Sequence, residues 1–184
     1  MPKTRSRLMA ALALVCAPLV AQADMPVTYM QGDRALFHFD APDFWTVRAG
    51  GPRELTAPGD AGPRAVVRVI GLQPTAEDKV WMGFVAPLGV STFADAAEYL
   101  RDIGPHLVKD VTVSATQERR IGGRPARTLS GTGRRNGQSV TFTAVAIDLP
   151  RDRMAIAVTV FQAGSDPALI DDVNRVYDSF RAAQ

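Results

Sequence analysis

The stretch QSVTFTAVAIDLPRDRMAIAVTVF, residues 138–161, decides the fold. It contains two runs of β-branched and small apolar residues separated by Leu149-Pro150-Arg151-Asp152, a turn composition too short for anything but an antiparallel connection. In the first run Phe142, Ala144 and Ala146 share one face and are backed by Val145 and Ile147. In the second, Ile156, Val158 and Val160 are backed by Ala155, Ala157 and Phe161. A strand that is apolar on both faces must be covered on both faces. The pair therefore predicts the middle of a sheet with further layers above and below it.

Working back from that pair, Arg135-Asn136-Gly137 and Gly122-Gly123-Arg124-Pro125 separate two more strand-like runs, at about Ala126 to Arg134 and Thr112 to Ile121. The result is an antiparallel meander. Nearer the amino terminus Ala35 to Asp40 alternates as a strand would, Thr46 to Arg48 and Arg53 to Thr56 are short strands, and Arg64 to Leu72 is β-branched. Two helices are available as covers. Ser91 or Thr92 caps the first, Asp95 completes a capping box with Thr92, and Gly104-Pro105 ends or kinks it. The last has Asp166 as cap and Pro167 at its first position, followed by Leu169, Val173, Val176, Tyr177 and Phe180 at helical spacing. The fold class is α+β: an antiparallel sheet of about six or more strands with helices on its faces.

The amino terminus has a different character. Lys3, Arg5 and Arg7 precede an apolar run from Leu8 to Val20 and then Ala21-Gln22-Ala23, the three parts of a cleavable Sec signal peptide. A run of that length falls short of the roughly 20 residues that span a bilayer, so no transmembrane anchor is expected. Cleavage after Ala23 leaves residues 24–184 as a single periplasmic domain. Val15 before Cys16, the only cysteine, argues against lipoprotein attachment there. Removing residues 1–23 leaves eighteen basic residues against nineteen acidic ones, and a near-neutral domain has no global attraction to nucleic acid.

The order of these elements resembles the PsbP-like α/β/α sandwich family. The matching residues are Phe37-x-Phe39-x-x-Pro42-x-x-Trp45, Thr92-Phe93-x-x-x-x-x-Tyr99-Leu100, Ile121-Gly122-Gly123-Arg124-Pro125-Ala126, and Val173 to Phe180 closing on Ser179-Phe180. The resemblance implies a fold and a role in docking on partners. It carries no catalytic residue. The segment from Thr75 to Gly89 fits none of these patterns and is read as an insertion or variable loop.

Reactive chemistry is sparse. His38 and His106 are the only imidazoles, and neither has a partner at ligand spacing. Asp171-Asp172 and Glu77-Asp78 are adjacent acids, and the former pair is read as lying on the outer side of the last helix. Ser130-Gly131-Thr132-Gly133 imitates a nucleophile elbow but falls within a predicted strand. No phosphate loop or dinucleotide fingerprint occurs, so no cofactor, metal or catalytic residue is expected. Two features suit a partner surface. One is the apolar run containing Trp81, Met82 and Phe84. The other is the arginine group of 119, 120, 124, 127, 134 and 135, with Arg134 and Arg135 at its hairpin. The chain is read as an exported, non-catalytic accessory or binding protein of the bacterial envelope, acting on an unidentified protein partner. The alternatives are a small apolar-ligand or lipid carrier using the space between helix and sheet, and a hydrolase with dispersed residues.

Overall fold

A computed structural model describes residues 24–51, 53–55, 64–66 and 68–184. The signal peptide, its cleavage after Ala23 and Cys16 lie outside the described residues, as does Thr56 at the end of one expected strand. In chain order the elements are β1 (Met25–Gln31), β2 (Arg34–Ala41), β3 (Trp45–Gly50), β4 (Arg53–Leu55), β5 (Arg64–Val66), β6 (Val69–Pro74) and β7 (Val80–Val85). There follow α1 (Phe93–Leu107), β8 (Lys109–Ile121), β9 (Arg124–Arg135), β10 (Gln138–Leu149), β11 (Arg153–Gln162), α2 (Ala168–Ser179) and β12 (Arg181–Ala182).

Turn chemistry sets the meander. Asn136 and Gly137, both at positive φ, make the two-residue turn that pairs Arg135 with Gln138, and Gly122-Gly123 does the same between Ile121 and Arg124. Arg151 and Asp152, also at positive φ, close the third hairpin, where Leu149 pairs with Arg153. The result is a seven-stranded antiparallel sheet in the order β3-β6-β7-β11-β10-β9-β8, beside a three-stranded β1-β2-β12 sheet and the β4-β5 pair. At the edge, the pairing of β8 with β9 slips twice, between Lys109 and Thr112 and between Val113 and Ala115.

The segment from Thr75 to Gly89 is not a loop throughout, because Val80–Val85 form a strand. Its β7 lies inside the sheet between β6 and β11. Val80, Met82 and Phe84 are fully buried in one core, while Trp81 packs on the other. A strand covered on both sides reads as an unbroken apolar run, which hides its period of two.

Both faces of the sheet are covered, as residues 138–161 require. On one, β1, β2 and α2 pack Tyr29, Phe37, Phe39, Val173 and Phe180 onto Phe84, Val145 and Ile147. On the other, α1 sets Ala96 over Phe142, Ala144, Ile156 and Val158. Thr92 caps α1 and exchanges hydrogen bonds with Asp95 as a capping box. The helix runs on through Gly104-Pro105 to Leu107. Pro105 has no N–H for the Arg101 carbonyl, and Gly104 has no Cβ to strike the proline ring, so the helix continues at the loss of one hydrogen bond. At α2, Asp166 Oδ1 accepts the Ala168 N–H at 2.9 Å, although the helix starts one residue later than the sequence suggests.

The reading of Asp171-Asp172 as an outward pair needs correction. Asp171 is exposed, but Asp172 is buried. Its carboxylate accepts from Trp45 Nε1 at 3.4 Å and from the Arg175 guanidinium. Trp45, the last residue of the Phe37 to Trp45 pattern, is thus tied to α2.

Tyr177 lies wholly inside the first core with its hydroxyl 3.3 Å from Thr159 Oγ1. Burial pushes its phenol up to about 12, against smaller opposing effects of Thr159 and Arg119. A raised folded value means that the unfolded chain ionises first as pH climbs past 10. Stability from this group is therefore complete below about pH 10 and lost as pH rises towards about 12. Urea midpoints measured across that range are expected to fall, and Tyr177→Phe is expected to shallow the fall. An unchanged slope would show that Tyr177 does not drive it. Tyr99, raised to about 12, and Tyr29, also raised, both chiefly by burial, contribute to the same slope.

A candidate binding cleft

The helical spacing of Phe93, Ala97, Leu100 and Gly104 brings one flank of α1 along a cleft of about 770 Å³. Its floor is Leu129 of β9 with Phe142, Ala144 and Ala146 of β10, and its far wall is Val111 and Val113 of β8. The opening has a local cause. Every residue of β8 from Lys109 to Arg120 is exposed, so that strand sends no bulky side chain under the helix. The buried residues of α1, Ala96 and Ile103, lie on the adjoining flank. Val111 and Val113 consequently expose 47% and 49% of their surface. A helix of 15 residues is about 22 Å long, which sets the length of the cleft.

Charges stand at its margins. Arg127 lies 5.0 Å over the Phe93 ring and pairs with Glu118 at 2.9 Å. Arg101, Lys109 and Asp110 line the part beside the last turns of α1. Among the described residues no carboxylate pairs with Arg101 or Lys109.

The residues singled out in the sequence separate in the structure. Met82 and Phe84 are fully buried, whereas Trp81 is half-buried under the Arg135 guanidinium, 5.0 Å from its ring. Burial lowers the guanidinium of Arg135 below its ordinary value. Two features that the sequence held apart, the apolar run and the basic hairpin, thus meet in one contact. Arg134 donates to the Gly137 carbonyl at 3.0 Å and braces its own turn. Arg124 pairs with Asp148 at 2.7 Å, Arg119 stacks over Tyr177, and Arg120 donates to the Gly123 carbonyl. Each arginine of the group therefore makes a contact within the chain.

His38 Nδ1 sits 2.9 Å from the Thr28 hydroxyl on an exposed face, and His106 lies in the last turn of α1. The Ser130 carbonyl accepts from the Ser114 hydroxyl at 3.2 Å, within the β8–β9 pair. Among the described residues no three metal-ligating side chains converge. The cleft itself escaped the sequence reading, because Phe93, Ala97 and Leu100 have the same spacing whether a helix stripe is fully packed or only half covered. The available signal was β8, where Val111 and Val113 are the only large apolar residues before Ile121.

No protein-family profile matches the chain, and no curated protein matches it. Solved structures do. The cyanobacterial PsbP of Synechocystis is 12% identical, with 92% of this chain and 99% of that one covered at a TM-score of 0.51. A protein of Bacteroides thetaiotaomicron is 10% identical over 89% of this chain at a TM-score of 0.53; the match spans 49% of that longer protein. LpqN of Mycobacterium tuberculosis, involved in cell envelope biogenesis, is 15% identical, covering 90% of this chain and 88% of its own at a TM-score of 0.43. The α+β sandwich described above is the PsbP-like fold. No helix among the described residues is long and apolar enough to cross a membrane.

Proposed function

We propose that the chain is an exported, non-catalytic binding protein that holds an apolar ligand between α1 and the sheet. One observation carries this reading: a cleft of about 770 Å³ with an apolar floor and walls on regular secondary structure. Small-molecule sites are mostly apolar hollows of about 300–1,000 Å³ with a few polar groups at fixed points. The polar side chains here are Arg101, Lys109, Asp110 and Arg127, which include no nucleophile paired with a base. Export rests on the basic start, the apolar run and Ala21-Gln22-Ala23, with residues 24–184 as the working domain in the periplasm. A role through protein contacts retains Trp81 and Arg135 at the surface. Met82 and Phe84 cannot touch a partner while the sheet is intact.

Protein recovered from cells is expected to carry lipid in native mass spectra. Ala97 is exposed on the cleft side of α1, so Ala97→Trp fills the hollow without entering the core. This variant should lose the bound lipid and keep the urea midpoint of the delipidated parent, the change in stability staying within about 0.5 kcal/mol. Lipid-free protein that also fails to take up a long-chain ligand in solution, or lipid retained by Ala97→Trp, would overturn the reading.

A further inference from the structure

We infer that the ligand of the cleft is a long-chain carboxylate, its tail on the apolar floor and its headgroup beside the last turns of α1. The inference rests on the apolar-ligand reading above and adds the charge of the headgroup. Three cations and one carboxylate line the cleft, and they are unevenly engaged. Arg127, at the Phe93 end, is occupied by Glu118 and the Phe93 ring. At the other end Arg101 donates from Nε to the Ala97 carbonyl at 3.4 Å, neither it nor Lys109 has an ion-pair partner among the described residues, and Asp110 is the only acid there that lines the cleft.

Lys109, just past the last residue of α1, stands near the negative end of its dipole, which by itself would repel an anion. Offsetting the dipole is therefore the competing role for Lys109, as bracing its own helix is for Arg101. The ligand reading differs from both in one measurable respect: it demands discrimination by headgroup. A guanidinium and an ammonium in the lining of one cleft complement a carboxylate, disfavour an alkylammonium and are indifferent to a neutral ester. The floor of Leu129, Phe142, Ala144 and Ala146 receives the tail of all three equally.

The experiment is calorimetric titration of the delipidated protein recovered from cells with palmitate, methyl palmitate and the alkylammonium of equal chain length. Palmitate is expected to bind about tenfold more tightly than the ester, a difference of about 1.4 kcal/mol, and the alkylammonium more weakly than either. Arg101→Gln with Lys109→Gln should bring palmitate to the level of the ester, and Arg101→Lys with Lys109→Arg should restore the preference. A preference that survives the double glutamine variant, or equal binding of all three ligands, overturns the headgroup assignment and leaves the apolar cleft standing. Failure of all three to bind, or a lipid-free dimer in native mass spectra with a second copy seated in the cleft, overturns both.

Discussion

Phe84→Ala is expected to unfold at a much lower urea concentration than the parent chain, with a loss of about 3–5 kcal/mol in unfolding free energy. The ring stands at the centre of an aromatic cluster, 4.4 Å from Phe39, 5.9 Å from Phe37, 6.2 Å from Tyr177 and 6.5 Å from Phe180. It is fully buried on a central strand, so neighbours on β2, α2 and the helix end all lose contacts when it is cut back. The hollow left behind cannot collapse easily, because its walls belong to two different sheets. A domain has about 5–15 kcal/mol of stability to lose, so this single change removes much of it. The check is a pair of urea titrations: the midpoint falls while the slope stays the same. A loss below about 1 kcal/mol would mean that the cluster repacks and that β7 is not its keystone.

Gly122→Ala is expected to cost more than about 2 kcal/mol, against about 1 kcal/mol for Gly123→Ala, although both residues have positive φ. The difference lies in what surrounds them. A Cβ on Gly122 would come within 2.3 Å of the Phe180 carbonyl oxygen, whereas one on Gly123 meets nothing within 4 Å. Backbone strain is common to both variants, so the excess for Gly122 measures the contact between the β8–β9 turn and the end of α2. Equal losses in the two variants would show that the contact relaxes freely.

That contact explains why two distant motifs of the sequence occur together. Ile121-Gly122-Gly123 and Ser179-Phe180 were legible as a turn and a helix end; only the fold brings one against the other. The meander, the capping box at Thr92 and the double cover on residues 138–161 could be read from local patterns, because turn residues and apolar alternation act over short spans. Three features could not. The strand β7 lacks a period because both its faces are buried. Asp172 looks solvated beside Asp171 until Trp45, far away in the chain, supplies a donor. The cleft is created by what β8 fails to place beneath α1, and no pattern in α1 itself encodes a missing neighbour.

The two slips in the pairing of β8 fall on the border strand of the seven-stranded sheet. This long edge strand is exposed along nearly its whole length and contains no proline, a profile that invites other chains to add on. Asp110 at positive φ and the shift after Val113 break the even spacing of its outward N–H and C=O groups. An incoming strand would lose register after a few residues. That irregularity is therefore expected to protect the molecule from polymerising through its longest free border.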